Sequence, residues 1–185
     1  ERGTVVVPPA ATVVRTVVVV RAMVVVVTPG VVAAGAARSM TTVLAQKFAA
    51  RHAGRLSGLV LCGPITELAS AGKEAFTKRA ETVQKDGMVA IADAVLTGAL
   101  TPATREANPA LAGLMREVLL SNDPACYAGH CLALANSSAK ADQPGIKCPT
   151  LILVGDQDGV TPLANARAIA AAIPGGAKIR IIPAT

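Results

Sequence analysis

The sequence predicts an α/β fold: a mainly parallel sheet with helices on both faces and a helical cap inserted between two of its strands. Three observations carry this. Short apolar runs bounded by Gly or Pro, "LSGLVLCGP" (56–64), "CPTLILVG" (148–155) and "AKIRIIPA" (177–184), read as strands. Helical patterns alternate with them, "SMTTVLAQKFAARHAGR" (39–55) and "PLANARAIAAAIPG" (162–175). Residues 66–145 show helical patterns alone. Strands alternating with helices imply a parallel sheet covered by helices, because each parallel crossover lays a helix over a face.

Each element follows from its local signals. In 39–55, Val43, Leu44, Lys47, Phe48 and Arg51 keep three- and four-residue spacing, and Gly54 suits the stop. The block 66–145 divides into "GKEAFTKRAETVQKDG", "MVAIADAVLTGAL", "TREANPALAGLMREVLLS" and "DPACYAGHCLALANSS", each one helix. The predicted organisation is a core of 1–65 and 146–185 with a cap of 66–145. A block of that size sits over the carboxyl edge of the sheet, where such folds bind ligands.

The first 36 residues have a different texture. Valine fills 15 of these positions, so side-chain size barely varies, whereas a packed core needs varied shapes. "TVVVVRAMVVVVTPG" reads as one or two strands with Pro29-Gly30 as a turn. No functional residue is placed there.

Composition removes several function classes. Hydrophobic residues make up 52% and charged residues 16%, which excludes a disordered chain. Aromatics are 2%, too few to build stacking platforms for single strands. The net charge of +6 is scattered rather than blocked, so it reads as solubility, and no nucleic-acid partner is expected. No valine run exceeds four residues, and Arg15 and Arg21 interrupt the region, so no membrane partner is expected. Cys62, Cys126, Cys131 and Cys148 show neither CxxC nor zinc-site spacing. Free thiols and a cytoplasmic location are expected, with no cofactor and no metal.

The stretch "GDQDGVTP" (155–162) is the most informative. Two carboxylates follow a buried strand, and Pro162 closes the loop. Together with "SM" and "AQKFAARH" after a turn, "LVLCGP", and a helical block, it resembles the α/β-hydrolase family. The cap segments "ETVQKDGMVAIADAVLTGALTP" and "LLSNDPACYAGHCLALANSS" resemble in particular those of 3-oxoadipate enol-lactonases and their relatives. The resemblance covers residues 39–185.

It implies a set of roles. Ser39 matches the nucleophile, Asp158 the triad acid, and Met40 supplies an oxyanion N–H donor. Asp156 caps the turn, and the bland reading has both aspartates only shaping the loop. His130, in the cap, is a candidate pocket residue beside core and surface readings; His52 reads as a surface residue. Ser39 and Asp158 are expected about 7–8 Å apart, one imidazole plus two hydrogen bonds.

The sequence departs from the family at the elbow. Where the family has Gly-x-Ser-x-Gly, this chain has Ala37-Arg38-Ser39-Met40-Thr41. Ala37 is the milder change; β-branched Thr41 is harder to place. Ser39 is then either a nucleophile on an altered elbow or a serine N-cap of the following helix. Arg38 stands where a histidine is usual. The family's base histidine follows the last strand, beyond Thr185, so the chain reads as the second half of a hydrolase domain. The implied function is a serine hydrolase of a small ester or enol-lactone; the alternative is a hydrolase-like scaffold or fragment without activity.

Overall fold

The computed structural model describes residues 16–20, 23–28 and 31–183. Six strands form one sheet in chain order: β1 (Thr16–Val20), β2 (Met23–Thr28), β3 (Val31–Arg38), β4 (Gly58–Cys62), β5 (Thr150–Gly155) and β6 (Lys178–Ile182). β3 to β6 run parallel, with Arg38 opposite Cys62, Cys62 opposite Leu153, and Gly155 opposite Ile182. β1 and β2 are antiparallel to each other, and β2 is antiparallel to β3. The sheet is thus mainly parallel, as the sequence implies. The valine-rich segment supplies two strands, and β3 adds a third before residue 39; the Pro29-Gly30 turn lies outside the described residues.

The chain divides into two compact units. One holds the sheet residues up to Thr66 together with Ala139–Ile182. α1 (Thr41–Arg51) packs on β3 and β4, and α7 (Leu163–Ala172) on β5 and β6. Their small inward residues, Ala45, Ala49 and Ala166, are fully buried against Leu59, Leu61, Ile152 and Val154. Each large side chain taken fully from water contributes roughly 1.5–3 kcal/mol. "CPTLILVG" reads as buried on both sides, yet burial alternates along β5: Thr150, Ile152 and Val154 are buried, Leu151 and Leu153 only partly. Period-two alternation in a strand places those two sets on opposite faces.

The second unit is Glu67–Ser138, five helices: α2 (Ser70–Asp86), α3 (Val89–Ala99), α4 (Pro102–Ala107), α5 (Pro109–Leu120) and α6 (Pro124–Ala135). Ala80 and Ala128 let α2 and α6 approach closely, with Phe76, Tyr127 and Cys131 around them. Val83, Met88 and Ile91 form a second cluster with Leu119 and Leu120. Three helices start with the same device. The side chains of Thr101, Asn108 and Asp123 each accept the N–H three residues on, and proline follows at the first helical position, where it loses no bond. This corrects one expectation. "TREANPALAGLMREVLLS" is two helices, because Pro109 cannot donate to Arg105 and Asn108 takes an extended φ of −141° as the next cap. Among the described residues no helix is long and apolar enough to cross a membrane.

Candidate active site

β3 ends at Arg38 and α1 begins at Thr41, leaving two residues to reverse the chain from strand to helix. Ser39 makes that reversal with φ +53°, and it is the sole non-glycine with positive φ among the described residues. An L-residue in this region costs about 1–2 kcal/mol, so something must hold it. Its N–H donates to Cys62 O at 3.0 Å, and its carbonyl accepts from Thr42 N–H at 2.9 Å. The residue is exposed at the carboxyl end of the strand.

The N-cap reading of Ser39 does not hold. Met40 occupies the cap position with helical φ and ψ, and no side chain caps the helix. Met40 N–H lies at the amino end of α1, where the first N–H groups have no intrahelical acceptor. Ala37, at the first elbow position, is buried in the core without a glycine. Thr41 is accommodated at the first residue of α1, where its Oγ1 donates to Arg38 O at 2.8 Å and accepts from Arg38 N–H at 3.2 Å.

Asp158 lies three residues past the end of β5. Its Oδ1 accepts from Val160 N–H at 2.9 Å and Thr161 N–H at 2.7 Å, and its Oδ2 accepts from the Thr161 hydroxyl at 2.5 Å. Asp158 itself ties the loop, because its side chain is the one placed over the two loop N–H groups. Asp156 contributes through its backbone, donating its N–H to Ile182 O at 3.0 Å. That bond lays the end of β6 against the acid loop.

The two turns meet at the end of β4. Cys62 O receives Ser39 N–H, and the next residue, Gly63, donates its N–H to Leu153 O at 2.8 Å. Gly63 has φ +53°, and a Cβ there would stand 2.8 Å from Thr161 Oγ1 and 3.5 Å from Asp158 Oδ2. One strand separates β3 from β5. Two strand spacings place the turns about 10 Å apart, room for one ring between the side chains.

His52 does not stand between them. His52 closes the far end of α1, exposed and tilted against Phe48 with ring centroids 4.7 Å apart. Eleven helical residues put it about 16 Å from the Ser39 turn. His130 is exposed on α6 in the helical unit. A concavity of about 460 Å³ in that unit is lined by Lys73, Glu74, Thr77, Lys78 and Glu81 of α2, not by His130.

Sequence reasoning missed a buried polar network behind Ser39. Thr42, Gln46 and Gln143 are almost wholly buried. Gln46 Nε2 donates to Thr42 O at 2.9 Å and Ile65 O at 2.8 Å. Gln143 Nε2 donates to Gln46 Oε1 at 2.9 Å and Thr66 Oγ1 at 2.8 Å. The legible signal is Gln46 on the apolar face of α1, since a buried amide must find partners. Thr161 was missed too; its place between Asp158 and Pro162 was the clue.

A parallel sheet with a strand-to-helix elbow at one strand end and an acid loop two strands over is the fold of an α/β hydrolase. The family model described as serine aminopeptidase, S33 matches residues 3–184, and the chain belongs to that family. It is 27% identical over 127 residues to 3-oxoadipate enol-lactonase 2 of Acinetobacter baylyi (strain ATCC 33305 / BD413 / ADP1), covering 69% of this chain and 47% of that protein. Among solved structures, it is similar to the enol-lactonase from Burkholderia xenovorans LB400, at 32% identity and a TM-score of 0.75, covering 80% of this chain and 55% of that one. A thermophilic esterase from Thermogutta terrifontis follows at 30% identity and a TM-score of 0.73, with 80% and 55% covered. The chain spans about half the length of these relatives.

Proposed function

We propose that this chain carries the nucleophile and the acid of a serine hydrolase acting on small esters or enol-lactones. The observation that carries the reading is the left-handed Ser39, exposed on a strand-to-helix turn. Such strain persists only where the surroundings over-determine it, and it collects at functional sites. The enol-lactonase and esterase relatives supply the substrate class.

Ser39 Oγ attacks the substrate carbonyl, and Met40 N–H donates to the oxyanion that forms. A histidine accepts the serine proton and passes it to the leaving alkoxide; water then cleaves the acyl-serine by the same route. Asp158 orients that histidine. The family pattern places the base after β6, and the Asp156 N–H to Ile182 O bond runs β6 into the acid loop. The helical unit 67–138 corresponds to the cap of the family resemblance. Four free cysteines support a cytoplasmic setting.

The test is hydrolysis of p-nitrophenyl acetate and an enol-lactone by the full-length protein and its Ser39→Ala variant. Turnover falls by several orders of magnitude, leaving about 10³–10⁴-fold over water from the donors and binding. Undiminished turnover in Ser39→Ala overturns Ser39 as the nucleophile, and no turnover in the unsubstituted protein leaves the non-catalytic scaffold as the reading.

A further inference from the structure

The elbow of this chain lacks both glycines of the family pattern, yet Ser39 adopts the left-handed turn. We infer that Thr41 and Thr42 hold the Ser39 turn, with Thr42 as a positioning residue for Ser39. This rests on the reading of Ser39 as the nucleophile.

The argument is geometric. The φ of Ser39 is the rotation that relates the peptide plane before it to its own α-carbon, and ψ relates that carbon to the plane after it. Fixing both planes fixes both angles. The plane before Ser39 carries Arg38 C=O and Ser39 N–H. Thr41 Oγ1 donates to the first at 2.8 Å, and Cys62 O accepts from the second at 3.0 Å. The plane after Ser39 carries its carbonyl, which receives both Thr42 N–H at 2.9 Å and the Thr42 hydroxyl at 2.5 Å.

Thr42 does more than hold one carbonyl. Its Oγ1 also accepts Ile65 N–H at 2.9 Å. A hydroxyl has one hydrogen and two lone pairs; giving the hydrogen to Ser39 leaves a lone pair for Ile65. Ile65 lies two residues past Gly63, which abuts Thr161 and Asp158. One buried hydroxyl therefore joins the serine turn to the segment that borders the acid loop. Gln46 clamps the same pair, bonding Thr42 O and Ile65 O with its two N–H groups. Its remaining oxygen is held by Gln143. Thr42 and Gln46 are each 0% exposed, so no solvent molecule replaces a partner lost at their side chains.

Hydroxyl bonds here pin a residue that resists the left-handed region. Thr41 is partly exposed, so water competes for its bonds, and Thr42 is the stronger of the two.

The experiment compares Thr42→Val, which keeps shape and loses the hydroxyl, with Thr42→Ser, which keeps the hydroxyl, in the full-length protein. Crystal structures read Ser39 φ, amide exchange reads Ile65 N–H, and steady-state kinetics read p-nitrophenyl acetate turnover. In Thr42→Val, Ser39 leaves the left-handed region and Ile65 N–H loses protection. Its kcat falls about 10–100-fold with KM unchanged, because a displacement of about 1 Å costs up to that much. Thr42→Ser restores all three. If Thr42→Val does not fold, Thr41→Val at its partly exposed site carries the same test through the other peptide plane, with a smaller fall. Ser39 held at positive φ with undiminished kcat, in Thr42→Val or in this substitute, overturns the inference. A shifted Ser39 together with full turnover in Ser39→Ala upholds the threonine clasp while overturning the nucleophile reading.

Discussion

The Ser39 turn and the Asp158 loop do comparable work by opposite means. Each places a polar side chain just past the carboxyl end of a parallel strand, β3 for one and β5 for the other. The Asp158 loop is self-contained: the carboxylate bonds two N–H groups and a hydroxyl within three residues of itself. Ser39 is held from outside, by Cys62 of the next strand and by Thr42, whose hydroxyl reaches Ile65, 23 residues away. A local arrangement needs only the right short motif. A strained one needs a completed fold around it.

The largest expected effect comes from breaking the acid side at the point where the two turns touch. Gly63 has φ +53°, and its Cβ would press on Thr161 Oγ1 at 2.8 Å. Gly63→Ala adds the left-handed penalty and forces Thr161 to shift, for about 2–4 kcal/mol in total. Urea denaturation measures this. A loss below about 1 kcal/mol means the loop yields freely and is not the rigid, self-contained unit described here.

That difference in how the turns are held also decides how legible each was. "GDQDGVTP" announced its loop because carboxylate-to-backbone bonds over two and three residues are written in consecutive letters. β4, β5 and β6 were legible from their apolar runs. β3 was not, because "VVAAGAAR" is rich in Ala and Gly, which favour strands weakly; pairing with β2 and β4 makes it one. The elbow read as doubtful since both its glycines were gone. The bonds behind it run from Thr42 and Gln46 to Ile65, and from Gln143 to Gln46 across 97 residues. No periodicity foretells a pairing at that separation.

A smaller effect sharpens the comparison within the acid loop. Thr161 is buried, and its hydroxyl donates to Asp158 Oδ2 while its N–H donates to Oδ1. Thr161→Val removes only the hydroxyl bond and leaves both backbone donors in place. Losing one bond to a charged acceptor costs about 1.5–3 kcal/mol, offset in part because Val buries an extra methyl. A net loss of about 1 kcal/mol is expected, with Thr161→Ser close to the parent. A loss equal to that of Gly63→Ala means that the hydroxyl, not the backbone, holds the carboxylate.

The smallest effect tests whether α1 is held at its Ser39 end or at its far end. There Lys47 Nζ lies 3.0 Å from Asp142 Oδ2 and Arg51 Nε lies 3.3 Å from Oδ1. The Lys47 hydrogen bond first, then the Lys47 and Arg51 charges, hold the Asp142 carboxyl below the ordinary carboxylate range. A group whose folded pKa is depressed stabilises the fold above its unfolded value, and that contribution is lost as pH falls towards the folded value. Asp142→Asn therefore costs stability at pH 7, and the gap to the parent closes in acid below about pH 4. Arg51 is well exposed and Lys47 partly so, so screening keeps the cost under about 1 kcal/mol. Urea midpoints at pH 7 and pH 3 measure both quantities. A gap of the same size at the two pH values removes the ion pair from the account. A loss at pH 7 larger than that of Thr42→Val means the helix is anchored at its far end, and the Ser39 turn then follows the helix rather than being set by its own threonines.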